Sequence, residues 1–162
     1  MRKILLITML LLSFCSASFA KIADEHFAIG GIYAGQGISQ VKAIYGEPVK
    51  TDGFQDYKFF EYGKNDTRFT IRFKSNIVDS VYVAGNNGIA TVDGIKVGST
   101  KEELLKAYGQ ADFYYLGRDA PKQHPDSEFF RYFPTSGKNI WLNFEVRYGK
   151  VLNFDISTFV DR

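Results

Sequence analysis

Two histidines are the first residues to consider for chemistry, because a neutral imidazole can act as a general base or ligate a metal. They are His26 and His124, and His124 is followed closely by Asp126 and Glu128. One imidazole with two carboxylates is a sparse ligand set, and a solvated loop accounts for it equally well. Nucleophilic catalysis is no better supported, since neither a Gly-x-Ser-x-Gly elbow nor a His-Glu-x-x-His motif occurs. We therefore expect no metal and no cofactor.

Glycines at residues 30–37 superficially resemble a phosphate-binding loop, but they match neither the Gly-x-Gly-x-x-Gly nor the Walker pattern. Glycines recur at residues 94–98, which indicates turns in both places. A pair of carboxylates could still converge in the fold, although nothing in the sequence singles one out. We expect a protein that is not an enzyme, and an uncharacterised extracytoplasmic enzyme is the weaker alternative.

Aromatic residues offer a different kind of chemistry, that of a binding surface. Alternation along residues 140–144 predicts that Trp141 and Asn143 point away from the core, and exposed Trp and Tyr are typical of interface hot spots. Tyr114 is a second candidate exposed ring. Packing of Trp141 against the rest of the chain is the alternative.

Arg68 and Arg72 alternate with Thr70 on the same predicted outer face, where they could meet an acidic partner or only solvent. Long polar insertions often carry recognition, which makes residues 117–127, including His124, a further candidate contact.

The first twenty residues resemble a signal peptide. A basic start, a short apolar run over residues 4–14 and small residues at Ser18 and Ala20 predict cleavage near Ala20. The apolar run is too short to span a bilayer, so we expect no stable membrane span after cleavage. A retained anchor and a lipoprotein attached at Cys15 are the alternatives, and the bulky Phe14 before the cysteine disfavours the second. The protein should be periplasmic or secreted.

Removing this leader changes the charge and the cysteine count. Two of the 20 Lys+Arg residues leave with it, so 18 remain against 18 Asp+Glu. A neutral chain has no basic face for nucleic acid, and we expect no nucleic-acid partner. The only cysteine leaves as well, which excludes a disulfide in the mature chain.

An internal repeat organises the rest of the sequence. Three pairs of segments match: 31–35 with 94–98, 59–62 with 129–132, and 69–73 with 140–144. The spacing between partners grows by seven residues within 117–128, a polar stretch with two prolines, as expected of a surface loop. We predict a first unit over residues 21–88 and a second over residues 89–162.

Each unit predicts one short helix followed by a β-meander. In the second unit Thr100 and Glu103 form a capping box, Leu104, Leu105 and Tyr108 form an apolar face, and Gly109 ends the helix. In the first unit the matching face is Ile38, Val41, Ile44 and Tyr45. Alternating residues after each helix predict antiparallel strands, including residues 68–73 and 77–83 in the first unit. The predicted fold class is α+β, as a tandem repeat of two such units.

The segment at 94–109 reads Gly-Ile-Lys-Val-Gly-Ser-Thr-Lys-Glu-Glu-Leu-Leu-Lys-Ala-Tyr-Gly, and its counterpart ends in Tyr-Gly-Glu-Pro at 45–48. These residues resemble the helical signature of the BamE-like fold. That group includes the SmpA/OmlA outer-membrane assembly lipoproteins and, in tandem form, beta-lactamase inhibitory protein. The resemblance implies a helix-loop-helix segment packed on an antiparallel sheet in each unit, and an exported module that binds protein. The mature chain departs from the group in having no lipidation motif and no cysteine.

Together these features predict an exported, non-catalytic protein-binding module whose partner is an enzyme to be inhibited or a component of the cell envelope. Its predicted contacts are Trp141, Asn143, Arg68, Arg72, Tyr114 and His124. The alternative is a structural envelope protein that associates with itself as a homo-oligomer.

Overall fold

A computed structural model describes residues 22–158, apart from the side chain of Asp66. The predicted signal peptide over residues 1–20 and its cleavage site lie outside the described residues. Two α-helices are present, α1 over Ile38–Tyr45 and α2 over Lys101–Tyr108. Neither they nor the shorter turns within residues 22–158 have the length and apolar character needed to cross a bilayer.

Both helices begin and end where the sequence predicts. At α2 the Glu103 amide donates to Thr100 Oγ1 at 3.1 Å and the Thr100 amide donates to Glu103 Oε2 at 2.7 Å, which completes the capping box. At α1 the N-cap is Gly37, which has no side-chain oxygen; only its amide is satisfied, by Gln40 Oε1. Gly109 ends α2 with a positive φ of 70°, a conformation that glycine adopts without strain.

The predicted apolar faces of the helices are wider than the faces that pack. Val41 and Leu104 are fully buried, whereas Ile44 is 50% exposed and Leu105 is 37% exposed. An eight-residue helix makes about two turns and presents only a narrow stripe to a flat sheet. The implied helix-loop-helix segment is also not observed, because in the described residues each half contributes a single α-helix.

Ten strands accompany the helices: β1 Ala28–Ile29, β2 Ile32–Tyr33, β3 Lys50–Phe54, β4 Tyr57–Tyr62, β5 Phe69–Lys74, β6 Ile77–Val83, β7 Phe113–Leu116, β8 Ser127–Tyr132, β9 Ile140–Arg147 and β10 Lys150–Thr158. Strands β1 and β2 form a small hairpin beside the helices. The other eight form one antiparallel sheet in the order β3-β4-β5-β6-β10-β9-β8-β7. The fold is therefore α+β, with one large sheet and two helices.

The two halves share one large sheet, where the sequence predicts a separate sheet in each unit. Strand β6 pairs with β10, which places Val83 opposite Phe154 and Tyr82 opposite Asp155. Two four-stranded meanders are thus joined edge to edge, and their core is a single cluster of buried residues from both halves. Strand β3 was not predicted, because all five of its residues are exposed and no alternation marks it.

The helices cover only one face of this sheet. Tyr45 of α1 packs on Tyr62 and Phe69, and Tyr108 of α2 packs on Tyr132 and Phe144. Since successive side chains of a strand point to opposite faces, the residues between these core positions point away from the helices.

Candidate functional site

The side of the eight-stranded sheet that faces away from α1 and α2 is called the open face here. No helix within residues 22–158 packs on it. The strand register aligns one row of its side chains across seven strands: Glu61, Thr70, Tyr82, Asp155, Asn143, Arg131 and Phe113. This row crosses the junction of the two meanders, so both halves of the chain contribute to one surface.

Polar groups in the middle of the row are linked to one another. Arg131 Nε donates to Asn143 Oδ1 at 2.7 Å, and Asn143 Nδ2 donates to Asp155 Oδ2 at 2.9 Å. Burial raises the pKa of Asp155 above its usual value, although hydrogen bonds from Asn143 and Ser157 and the charges of Arg131 and Arg72 act in the opposite direction. The centre of the open face therefore holds a carboxylate that its surroundings only partly compensate.

Aromatic rings surround Arg131. Its guanidinium carbon lies 4.0 Å from the centre of the Trp141 ring and 5.9 Å from that of Phe113. Phe133 meets Trp141 edge to face with ring centres 6.0 Å apart. Trp141 itself is half-buried, because these neighbours cover part of its ring.

A shallow cavity of about 190 Å³ lies beside this cluster. Its walls include the Phe129 and Tyr115 rings, which stack with centres 4.7 Å apart, and the polar side chains of Arg131, Glu145 and Asp155. A second depression of about 360 Å³ lies on the other half of the open face, beside Arg68 and Tyr82. The first is smaller than the pockets of about 300–1,000 Å³ that enclose small ligands, and the second is near the lower end of that range.

The remaining arginines of the open face are paired. Arg72 Nε donates to Asp79 Oδ1 at 2.9 Å, and this hydrogen bond raises the pKa of Arg72 further. Arg147 Nη2 donates to Glu145 Oε1 at 2.7 Å. Burial alone would raise the pKa of Glu145, but hydrogen bonds from Ser127, Asn153 and Arg147 outweigh it and hold that pKa below its usual value.

Four of the six predicted contact residues lie at this surface. Trp141, Asn143 and Arg72 point outward from β9 and β5, as their alternation predicts. Arg68 precedes β5, lines the second depression, and places its Nη1 atom 3.6 Å from Glu61 Oε1.

Tyr114 and His124 do not belong to the open face. Tyr114 is 46% exposed but lies opposite the core residue Phe130, so it points to the helix side, where its hydroxyl donates to Glu128 at 2.7 Å. Burial, reinforced by the Glu128 hydrogen bond, raises the pKa of Tyr114 to about 12. Tyr114 is exposed, as its sequence predicts, but it lies on the opposite side of the sheet from Trp141.

His124 lies in the loop between β7 and β8, where its Nδ1 accepts a hydrogen bond from the Asp126 amide. That loop is also more constrained than the sequence indicates, because Gly117 packs closely on the His124 backbone and Ser127 is fully buried. Among the described residues, no group of three or more His, Cys, Asp or Glu side chains is placed to hold a metal.

Of the seven residues of the row, sequence reasoning named only Asn143 as a contact, and the missed residues nearest to it are Tyr82, Arg131 and Asp155. Each alternates with buried neighbours, such as Val81 and Val83 around Tyr82, so periodicity could have placed all three outward. Their alignment depends on the β6–β10 pairing, for which the sequence carries no local signal.

The sequence matches no protein-family model and resembles none of the curated proteins closely enough to count as a relative. Among solved structures, a cysteine-rich secretory protein from Staphylococcus aureus has a TM-score of 0.60 at 16% identity. The match covers 88% of this chain and 48% of that one, so the chain spans about half the length of that structure. This likeness concerns the fold alone.

Two other solved structures match more weakly. A DUF4309 family protein from Bacillus subtilis has a TM-score of 0.48 at 15% identity, covering 76% of this chain and 79% of that one. A candidate beta-lactamase inhibitor protein from Streptococcus mutans has a TM-score of 0.31 at 14% identity, covering 76% and 83%. Scores this low carry no argument. The resemblance to the BamE-like group therefore stays a prediction.

Proposed function

We propose that this chain is an exported, non-catalytic module that binds another protein through the open face of its sheet. The observation that carries the proposal is the row of aromatic, polar and charged side chains that crosses both meanders, which no helix within residues 22–158 covers and in which Arg131 packs on the neighbouring Trp141. Trp, Tyr and Arg are the residue types enriched in interface hot spots. Ordered polar pairs between the rings hold the surface rigid and reduce the entropic cost of binding.

Export is part of the proposal. It is supported by the signal-peptide pattern of residues 1–20 and by the secretory protein among the solved neighbours. The partner is accordingly sought in the cell envelope and the medium, as an enzyme to be inhibited or an envelope component.

A tandem origin of the two halves is also proposed, with units at residues 21–88 and 89–162. Equivalent hydrogen bonds in the two halves support it. The Gly35 amide donates to the Val78 carbonyl in the first half, and the Gly98 amide donates to the Val151 carbonyl in the second. Likewise the Tyr62 hydroxyl donates to the Gly46 carbonyl at 3.2 Å, and that of Tyr132 to the Gly109 carbonyl at 3.1 Å. Both tyrosines tie the end of a helix to the sheet beneath it.

The test is capture of a partner by the tagged chain from envelope and culture-medium fractions. Trp141→Ala is a parallel bait that removes a ring from the open face. Tyr148→Ala is the matched aromatic control, because Tyr148 is 78% exposed in the turn between β9 and β10. We expect a protein retained by wild type and by Tyr148→Ala and lost by Trp141→Ala. Equal retention by all three baits would count against the open face.

Self-association is the second candidate function, and the exposed edge strand β3 favours it. All five β3 residues are exposed, and an unpaired strand edge is a template for another chain. Light scattering coupled to size exclusion distinguishes the two, because a monomer at every concentration would exclude the oligomer.

A further inference from the structure

Arg131 differs from the other arginines of the open face in its charge partner. Arg68, Arg72 and Arg147 each have a carboxylate within salt-bridge distance, namely Glu61, Asp79 and Glu145. Within residues 22–158 no carboxylate forms such a pair with Arg131, and its connection to Asp155 runs through the Asn143 amide. Arg131 is thus a cation that the described part of the chain leaves without a counter-charge in contact.

The Arg131 guanidinium is nevertheless held in a fixed position. Its central carbon lies 4.0 Å from the centre of the Trp141 ring, and its Nε atom donates to Asn143 Oδ1. The hydrogen bond from Asn143 Nδ2 to Asp155 holds the Asn143 amide in place. The two terminal Nη nitrogens make no hydrogen bond to any described side chain or carbonyl. A guanidinium fixed in this way presents its outer fork, the geometry that matches the two oxygens of a carboxylate.

We infer that Arg131 is a preformed clamp for an aspartate or glutamate side chain of the protein partner, an inference that rests on the proposed function. Charge complementarity identifies the occupant: among the open-face arginines within residues 22–158, Arg131 alone has no carboxylate at salt-bridge distance, and a carboxylate would accept from both Nη atoms at once.

The location of the clamp fits a hot spot. The Phe113 and Trp141 rings flank the guanidinium, and Phe133 packs on Trp141, so apolar rings keep water from the charge pair once a partner is seated. In such a desolvated setting a charge-assisted hydrogen bond is stronger than at an open surface.

The test uses Trp141 as its probe, since it is the only tryptophan of the chain and contacts Arg131 directly. The protein is titrated with N-acetyl-tetraglutamate amide or with the uncharged N-acetyl-tetraglutamine amide, and the Trp141 fluorescence is followed. We expect a saturable change with the glutamate peptide only. Arg131→Ala should weaken that binding roughly tenfold or more, as expected for losing a hydrogen bond to a charged group.

Two variants make the result specific. Arg131→Lys keeps the charge but loses the fork, and should bind the glutamate peptide more weakly than wild type. Lys106→Ala removes one positive charge from the exposed side of α2 and should leave the titration unchanged. Far-UV circular dichroism of each variant verifies the fold.

The clamp would be overturned if the glutamate and glutamine peptides act alike, or if Arg131→Ala binds as wild type does. A captured partner whose affinity falls with Trp141→Ala and not with Arg131→Ala would overturn the clamp and leave the proposed binding function standing.

Discussion

The pKa of Asp155 is determined by the groups around it on the open face. It lies on the central strand β10, half-buried between Tyr82 and Asn143, and burial raises its pKa. A carboxylate whose pKa is higher in the folded than in the unfolded state stabilises the fold when protonated, and loses that contribution as pH rises through the folded pKa. At neutral pH the ionised Asp155 therefore lowers the free energy of unfolding.

We expect Asp155→Asn to be more stable than wild type at neutral pH, because the variant has no charge to bury. The gain should disappear near pH ~4 and below, where the wild-type carboxyl is also protonated. Urea unfolding of the variant and the wild type at pH 7 and at pH ~4 measures the gain in stability. Asp119→Asn, at an exposed position, is the control. A gain that persists in acid would show that burial of charge is not the cause.

Ser127, unlike Asp155, is a buried polar residue whose hydroxyl both donates and accepts a hydrogen bond. Its hydroxyl donates to Glu145 at 2.5 Å and accepts from Arg147 Nε at 3.0 Å. Ser127→Ala leaves that Nε–H without a partner, and we expect a loss of about 1–3 kcal/mol in unfolding free energy. Ser39→Ala, at an exposed position of α1, is the control and should change stability little. Equal stability of the two variants in urea would contradict the role assigned to this network.

At the scale of elements, the two helices offer a matched comparison of N-caps. Thr100→Ala should lower stability by about 1 kcal/mol, since it removes the hydroxyl that accepts from the Glu103 amide. Gly37→Ser should raise stability by a few tenths of a kcal/mol. The backbone at Gly37 has φ −81°, and an added Cβ meets only the Gln40 side chain, at 3.8 Å. Thermal unfolding of both variants tests the pair, and a Gly37→Ser variant less stable than wild type would contradict it.

Elements with a strong local signal could be predicted from the sequence, and those set by distant pairing could not. The capping box and the glycines fix both helix ends, and alternation fixes β5 and β6 to within one residue. Strand β3 carries no apolar alternation because it is an exposed edge. The side of Tyr114 depends on which residues of β8 face β7, a register that local sequence does not specify.

Residues of the candidate site also differ in whether local sequence could place them. Trp141 and Asn143 could be placed outward from the alternation of β9 alone. Their position on one surface with Tyr82 could not be foreseen, because it requires β6 and β10 to pair and so joins two meanders that the sequence presents separately.

At the scale of the whole molecule, the joined sheet and common core predict a single cooperative unfolding transition. Ile71 lies in the first half, is fully buried, and faces Val81, which in turn faces Ile156 of the second half. Ile71→Ala should cost about 2–5 kcal/mol and shift the Trp141 fluorescence transition as much as the far-UV dichroism transition. A Trp141 transition that stays in place while the dichroism signal splits would show two independent units.

The central claim is that the open face, and not the helix side, binds the partner. The most direct measurement is the affinity of the isolated partner for four variants of the chain. Two are on the open face, Tyr82→Ala and Trp141→Ala, and two lie elsewhere, Leu105→Ala on α2 and Tyr148→Ala in the β9–β10 turn. We predict that at least one open-face variant loses more than about 2 kcal/mol of binding free energy, and that Leu105→Ala and Tyr148→Ala bind with near-wild-type affinity. Losses confined to Leu105→Ala or Tyr148→Ala would contradict the account.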